Sequence, residues 1–284
     1  MKKVLGLVVS ERNLGNSELL VKEIMGAVPD PCSREMIRLT ELGIGPCRAC
    51  YRCLTPGTEC RVNDHFKFVI DKITGADALV IGMPVYFLGP HGQFKMLTDR
   101  LMGVGQYAEK TRGKPCVVVI PYGLAGWEGY ARTAALVLPR MLEMKLVDCW
   151  PVHATLPGEG VMKEENCEYA RRLGAGIFTA GEYSGRPGEC PYCGADLFRL
   201  LPGGVVECCL CSAKGYPGAG GSPEFRLPGH YRFSTEGMQE HFMGWLVKMR
   251  EKYLAERESL KEVQKPYRGS HWWVKPENSG GSQS

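Results

Sequence analysis

Cysteine is the residue type in this sequence that most directly suggests chemistry. The 284-residue chain contains 13 cysteines, and eight of them form two compact groups. We interpret the short apolar run near the N-terminus as a strand rather than a secretion signal, and therefore expect a cytoplasmic, reducing environment. There, closely spaced cysteines more often bind metal or perform redox chemistry than form disulfides. The predicted metal ligands are Cys47, Cys50, Cys53 and Cys60 in the first group and Cys190, Cys193, Cys208 and Cys211 in the second.

The first group has the spacing of a polynuclear iron–sulfur site. Two residues separate each pair of neighbours from Cys47 to Cys53, and Cys60 follows after six more. Thiols this close cannot easily pair as disulfides, but three of them can surround a cluster together with a fourth. Zinc is the alternative, and in bacterial ferredoxins the fourth cysteine comes sooner. The loop also carries arginines that would raise a cluster's potential, attract an anionic partner or simply face solvent; they are Arg48, Arg52 and Arg61.

The second group consists of two knuckles that resemble a zinc ribbon. Cys190-Pro-Tyr-Cys193-Gly is followed after fourteen residues by Cys208-Cys-Leu-Cys211, which places four thiolates around one tetrahedral ion. The first knuckle is also similar to rubredoxin, in which iron would act as a one-electron relay. We favour structural zinc because the knuckles are close together for rubredoxin, and Cys209 leaves the ligand set ambiguous.

A polar, glycine-containing segment follows the first predicted strand and leads into a helix. Backbone N–H groups, hydroxyls and a guanidinium at a helix N-terminus together favour a phosphate group. The alternative is that Asn16 and Ser17 merely cap the helix. The candidate phosphate ligands are Ser10, Arg12, Asn13, Asn16 and Ser17.

Strand and helix patterns alternate from the N-terminus to about residue 180. Alternation of this kind builds a doubly wound parallel sheet covered on both faces. We therefore predict an α/β fold with five strands in the flavodoxin-like order. Predicted strands cover 4–9, 36–39, 78–82, 116–120 and 146–152, and predicted helices cover 17–27, 65–74, 93–102 and 131–144.

The phosphate segment and two later loops resemble the NADPH-dependent FMN reductase family and, within it, the iron–sulfur flavoproteins. The family's Pro-x-Tyr stretch with its glycine turn, lysine and Asp-Arg pair is matched by 83–89, Lys95, Asp99 and Arg100. A looser match is the glycine-rich loop 121–129, where Tyr122 and Trp127 would close over a flavin or pack at an interface. The resemblance implies further flavin-binding residues, namely Pro84, Val85, Tyr86, Phe87, Leu88, Tyr122 and Gly123.

The same resemblance implies the cofactors and partners. FMN would bind at the carboxyl edge of the sheet, with a [4Fe-4S] cluster held beside it in loop 47–60. A ferredoxin-like protein or NAD(P)H would donate electrons, and a small molecule would accept them. The family also suggests a homo-oligomer in which a neighbouring chain completes the flavin site.

Charge and hydrophobicity argue against two further classes of partner. The net charge of +4 is spread without a dense basic block, so we expect no nucleic-acid partner. No stretch approaches the roughly 20 apolar residues that cross a bilayer, so we expect no membrane partner.

We expect three parts: a flavodoxin-like domain over 1–182, a metal module over 183–228, and over 229–284 an amphipathic helix followed by a mobile tail. The helix stripe consists of Phe242, Trp245, Leu246, Met249, Tyr253 and Leu254.

These features favour a redox flavoprotein that passes electrons between FMN and the cluster as a reductase of a small acceptor. The alternatives are an NAD(P)H-dependent FMN or quinone reductase without a cluster, and a redox-sensing scaffold protein. No acid–base pair stands out, so the catalytic residues stay unassigned. His91 and His153 are expected near the strand ends, where a substrate could stack on the flavin.

Overall fold

The computed structural model describes residues 1–55, 57–103, 105–218, 223–227, 229, 231–269 and 274. An open sheet of five parallel strands has the order β2-β1-β3-β4-β5, which confirms the predicted flavodoxin-like fold. The strands are β1 Lys2–Val8, β2 Cys32–Arg38, β3 Ala78–Gly82, β4 Pro115–Tyr122 and β5 Lys145–His153. Sequence patterns underestimated β2, because this edge strand exposes Glu35 and Met36 and therefore lacks a continuous apolar run.

Helices cover both faces of the sheet and continue into the C-terminal part. The predicted helix over 131–144 is divided at Leu136 into two short helices, since Pro139 cannot donate a backbone hydrogen bond to the preceding turn. The helices are α1 Asn16–Gly26, α2 Phe66–Gly75, α3 Gly92–Asp99, α4 Gly105–Thr111, α5 Ala131–Ala135, α6 Val137–Met141, α7 Glu159–Met162, α8 Glu164–Gly176, α9 Thr235–Gln239, α10 Leu246–Ala255 and α11 Arg257–Gln264.

The alternation of side chains along β1 divides the core into two layers. Val4 and Val8 pack on the face covered by α1 and α8. Leu5 and Leu7 pack on the other face, against α2, α3, α5 and α6. Both faces of the sheet are therefore buried, and polar side chains reach solvent mainly at the strand ends, where ligands bind in folds of this kind.

The second cysteine group lies in a small antiparallel sheet with the order β6-β7-β8-β9. Two buried arginines from the main fold hold this module in place. Arg132 Nε donates to the carbonyl of Gly194 at 3.1 Å, and Arg140 Nε donates to the carbonyl of Cys193 at 3.2 Å. The module is thus fixed to α5 and α6 rather than tethered loosely. Its strands are β6 Phe198–Leu200, β7 Val206–Cys208, β8 Lys214–Pro217 and β9 Pro223–Arg226.

The C-terminal helical stripe packs only at its start. Met238 is buried, and Phe242 packs partly buried against the core within a π-helical stretch, Glu240–Trp245. Trp245 and Tyr253 are more than half exposed. The expected tail begins with a 3₁₀ turn, Lys265–Tyr267, and otherwise falls largely outside the described residues. Within the described part of the chain, none of the helices has the length and apolar character needed to traverse a membrane.

Candidate functional site

Four loops at the carboxyl edge of the large sheet meet around one cavity of about 190 Å³. They follow β1, β3, β4 and β5, so the three segments singled out in the sequence converge. Asn13, Phe87 and Leu88 are not among the lining residues. Those that line the cavity are Ser10, Arg12, Gly15, Asn16, Ser17, Pro84, Val85, Tyr86, Pro121, Tyr122, Gly123, Ala154 and Thr155.

Ser17 carries the clearest sign of an anionic ligand in this cavity. The residue is 2% exposed, and its Oγ has no hydrogen-bond partner among the described residues. Gly15, rather than Asn16 or Ser17, is the N-cap of α1, and no side chain caps the helix. A buried hydroxyl without a partner beside an uncapped helix N-terminus fits a phosphate group, because both present donors to it. These residues therefore fit the phosphate of FMN.

Asn16 connects two loops of the site. Its Nδ2 donates to the carbonyls of Ala154 at 3.2 Å and Leu156 at 2.9 Å, and its Oδ1 accepts from the N–H of Gly160 at 3.0 Å. Both amide donors are thus directed at the β5 loop rather than at the cavity. The side chain positions the phosphate loop, and its backbone N–H remains at the helix N-terminus.

Glu18 and Arg38 shape the phosphate loop, and the sequence patterns did not indicate either of them. Glu18 accepts hydrogen bonds from the N–H of Leu14 at 2.8 Å and from Arg38 at 2.6 Å. Arg38 also donates to the carbonyl of Ser10 at 2.8 Å. Burial alone would raise the pKa of Glu18, but Lys22, Arg38 and the Leu14 N–H together lower it to about 2. The loop is therefore held by a buried carboxylate–guanidinium pair.

The loop after β3 presents an aromatic side chain to solvent. Tyr86 and Gly89 exchange backbone hydrogen bonds, which leaves Phe87 97% exposed, and both Phe87 and Leu88 have positive φ. The carbonyl of Leu88 accepts from the N–H of Tyr130 at 2.8 Å. Only glycine fits at Gly129, where φ is +57° and a Cβ would lie 2.1 Å from that carbonyl oxygen. Two loops are thus locked together beside the cavity.

Two tyrosine–histidine pairs stand at the same edge. Tyr86 and His91 meet edge to face with ring centroids 5.0 Å apart, and Tyr122 and His153 meet at 5.4 Å. Burial, and then Glu128, raises the pKa of Tyr122. Its hydroxyl therefore keeps its proton at neutral pH and donates it to the Glu128 carboxylate.

The first cysteine group lines a second cavity, of about 210 Å³, together with Arg100 and Met102. All four of its thiols contribute, and among the described residues no three of them have their sulfur atoms within 4.8 Å of one another. A single tetrahedral ion with zinc–sulfur bonds of about 2.3 Å would need sulfurs only about 3.8 Å apart. The wider arrangement suits a cluster in which each thiolate binds a different iron.

Arg100 lies at this second cavity. Its Nη2 is 3.2 Å from the Sγ of Cys60, and its guanidinium forms a buried ion pair with Asp64. Its Nε is buried and has no partner among the described residues. A buried donor beside four thiols fits a sulfur-rich anionic group such as an iron–sulfur cluster, whose sulfurs accept hydrogen bonds.

The second cysteine group forms a compact four-sulfur site. The four Sγ atoms lie within 4.8 Å of one another, with 3.5 Å between Cys190 and Cys211 and 3.5 Å between Cys193 and Cys208. All four are buried, whereas Cys209 is exposed. These distances are close to those around a single tetrahedral ion. The geometry selects Cys208 over Cys209 as the fourth sulfur, which the spacing in the sequence left open.

Comparison with known proteins finds an iron–sulfur flavoprotein and a flavone synthase among similar sequences. An iron–sulfur flavoprotein of Methanocaldococcus jannaschii is 37% identical over 99 residues, which are 34% of this chain and 51% of that protein. The match spans about half the length of that relative. A protein of Aspergillus candidus named as a flavone synthase is 27% identical over 254 residues, covering 76% of this chain and 75% of that protein.

The shared fold extends over the C-terminal part. The solved structure of a flavone reductase superposes with a TM-score of 0.75 at 23% sequence identity, and the superposition covers 97% of this chain and 100% of that one. The model of the NADPH-dependent FMN reductase family matches residues 2–153, which include three of the four loops that line the first cavity, namely those after β1, β3 and β4. The chain therefore belongs to the NADPH-dependent FMN reductase family.

Proposed function

We propose that this protein is an FMN-dependent oxidoreductase that passes electrons between FMN and a [4Fe-4S] cluster and reduces a small acceptor. One observation carries the proposal. Two cavities in the FMN-reductase fold, one lined by phosphate-type donors and one by four thiols, are each lined by a residue that has a buried polar atom without a partner among the described residues. These atoms are Ser17 Oγ and Arg100 Nε.

The first cavity would hold FMN. Its phosphate would lie against the N-terminus of α1, with Ser10, Arg12 and Ser17 around it, Asn13 in the same loop outside the lining, and Asn16 fixing the loop. Its ring system would lie between the loop of Pro84, Val85 and Tyr86 and that of Tyr122 and Gly123, with Phe87 and Leu88 at the rim. When bound, FMN supplies hydride chemistry and the cluster supplies one-electron transfer.

The two cysteine groups would hold different metals. Cys47, Cys50, Cys53 and Cys60 would bind the [4Fe-4S] cluster, because their sulfurs are spread around a cavity. Cys190, Cys193, Cys208 and Cys211 would bind one zinc ion, because their sulfurs converge and are shielded from solvent. A single iron that relays electrons is the alternative at this site. An electron relay benefits from a ligand sulfur that faces solvent, whereas all four of these cysteines are buried.

Exposed aromatic residues support a proposal for the acceptor. Phe87, Trp127 and Tyr130 are exposed aromatic side chains in the segments that follow β3 and β4, and they favour a flat, conjugated molecule that stacks on a flavin. The relative named as a flavone synthase matches over three quarters of both chains, which favours an acceptor of flavonoid-like shape. NAD(P)H is the proposed donor, with a ferredoxin-like protein as the alternative.

We place boundaries near 182 and 228, although the metal module and Met238 share one apolar core with the sheet. A homo-oligomer would cover the exposed aromatic rim with a neighbouring chain, and the reducing chemistry of both cysteine groups suits the cytoplasm.

Anaerobic reduction tests this function. FMN-loaded protein mixed with NADPH should lose its flavin absorbance, and a flavone should then restore it. Cys50→Ser should lose iron and acid-labile sulfide but keep FMN, and Cys209→Ser is the matched control that should keep all three. A wild-type protein whose flavin is reduced neither by NADPH nor by a one-electron donor would contradict the proposal.

A further inference from the structure

A fully enclosed guanidinium lies beside the first cysteine group. The side chain of Arg100 is 1% exposed, and it stacks over the ring of Phe66 at 4.2 Å. Its Nη1 contacts Asp64 and the carbonyl of Gly45, the latter at 3.3 Å, while its Nη2 lies 3.2 Å from the Sγ of Cys60. The cation is therefore fixed on three sides, and one of its contacts is a predicted cluster ligand.

The partner of Arg100 is fixed as well. Asp64 accepts hydrogen bonds from the N–H of Gly45 at 2.8 Å and from the N–H of Phe66 at 3.1 Å. Burial opposes ionisation of Asp64, but these bonds and the guanidinium lower its pKa. Because Asp64 stays ionised and immobile, the position of Arg100 is set by the fold rather than by the contents of the cavity.

The remaining donor of Arg100 has no protein partner among the described residues. Its Nε is buried, and Arg100 lines the same cavity as the four thiols. Leaving such a donor unpaired is unfavourable, because it has lost its hydrogen bonds to water. An acceptor within the cavity would remove this cost, and the sulfurs of a cluster are acceptors of that kind.

We propose that Arg100 is a positioning residue that holds Cys60 as a cluster ligand and raises the cluster's reduction potential; this rests on the proposed [4Fe-4S] site. Reduction adds negative charge to the cluster, and a cation in a region of low dielectric stabilises that added charge. Arg61 also lines the cavity, but it is exposed and its charge is screened by water and salt. Arg100, which is 40 residues from Cys60 in the sequence, therefore affects the reduction potential of the cluster more than the arginines of the cysteine loop do.

The test compares Arg100→Gln with Arg61→Gln in full-length, FMN-loaded protein. Both substitutions remove one positive charge. At the wild-type midpoint, Arg100→Gln should lower the ratio of reduced to oxidised cluster about tenfold, which corresponds to about 59 mV for a one-electron couple. Arg61→Gln should change this ratio less than about twofold, because exposed charges act weakly. EPR-monitored redox titration measures both. A complete cluster in Arg100→Gln whose potential moves no further than that of Arg61→Gln would overturn the inference.

A second variant separates this role from folding. Arg100→Gln leaves Asp64 unpaired, so Arg100→Gln/Asp64→Asn removes both charges together. Loss of iron and sulfide from this double variant with FMN retained supports the role in holding Cys60, and a complete cluster at the wild-type potential contradicts it. If both variants also lose FMN, Arg100→Lys decides: an altered Fe–S stretching pattern in resonance Raman spectra supports the inference, and an unchanged pattern overturns it.

The test also distinguishes the inference from the proposed function on which it rests. Wild-type protein without acid-labile sulfide would refute the [4Fe-4S] site itself. A wild-type protein with a complete cluster, together with insensitive Arg100 variants, would refute only the role of Arg100.

Discussion

At the scale of single residues, the site is marked by buried polar atoms that the protein itself does not satisfy. Ser17 Oγ and Arg100 Nε are two of three such side-chain atoms among the described residues. Buried polar groups are almost always hydrogen-bonded, so an unpaired one in a cavity calls for a ligand. The two residues line different cavities, which is why we propose two different ligands.

Ser17 provides the sharpest residue-level test of the flavin site. Ser17→Ala removes a hydroxyl that we expect to donate to the phosphate, and a hydrogen bond to a charged group is worth about 1.5–3 kcal/mol. The dissociation constant of FMN should therefore rise at least about tenfold. Fluorescence titration measures this, with riboflavin as the control because it lacks the phosphate. Equal weakening of both ligands would contradict a phosphate contact.

Glu18 makes the phosphate loop sensitive to acid. Its pKa falls from the ordinary 4.5 to about 2, because Lys22, Arg38 and the Leu14 N–H outweigh the opposing effect of burial. A lowered pKa means that the stabilisation is complete above about pH 4.5 and is lost as the pH falls from 4.5 towards 2. At pH 7, Glu18→Gln should lower the free energy of unfolding by roughly 3 kcal/mol.

Urea denaturation across this pH range measures the effect. The difference between wild type and Glu18→Gln should shrink steadily below about pH 4.5, since protonation removes the same charge. If the difference in stability between the two proteins stayed constant down to pH 2, the contacts with Lys22, Arg38 and Leu14 would not lower the pKa of Glu18.

At the scale of elements, the close contact of α1 and α8 depends on one glycine. A Cβ at Gly174 would lie 1.9 Å from the carbonyl oxygen of Ile24, which is backbone and cannot turn aside. Gly174→Ala should therefore cost about 1–3 kcal/mol through overpacking. Gly176→Ala is the matched control in the same helix, since nothing lies within 4 Å of its Cβ and alanine favours a helix. Equal denaturation midpoints for the two variants would contradict the packing described.

The metal module makes an equally specific prediction about two adjacent cysteines. Cys208→Ser should release the bound metal and lower stability by at least about 2 kcal/mol, or roughly 5 °C in a chain of this size. Cys209→Ser should retain one metal ion per chain, because Cys209 is exposed and separate from the four-sulfur group. Metal content after dialysis and thermal midpoints check both. Metal loss from Cys209→Ser would reverse the ligand assignment.

Sequence patterns predicted those elements whose signal is local. The apolar strands and intervening helices led to the parallel, doubly wound sheet, because strands that alternate with helices and have right-handed crossovers build this architecture. The phosphate loop was recognisable because it directly follows β1. The spacing of Cys190, Cys193 and Cys211 identified the module. It could not decide between the adjacent Cys208 and Cys209, because only the folded chain buries one thiol beside the other three and exposes the other.

At the scale of the whole molecule, contacts between residues that are far apart in the sequence could not be predicted. Arg38 meets Glu18 across 20 residues, and Arg100 meets Cys60 across 40. No local spacing encodes these contacts, because they depend on which helix face meets which loop. Arg100 belongs to the stretch that resembles a flavin-binding motif, yet the fold places it at the thiol-lined cavity. The assembled molecule thus joins the proposed flavin cavity, a thiol-lined cavity and a buried four-cysteine group around one sheet.

The content of iron, acid-labile sulfide, zinc and FMN in anaerobically purified protein tests this account most directly. We predict about four irons, four sulfides, one zinc and one FMN per chain. About one additional iron in place of zinc would make the C-terminal site a rubredoxin-like relay and leave the central claim intact. FMN and zinc without acid-labile sulfide would contradict the iron–sulfur site and leave a flavin reductase without a cluster.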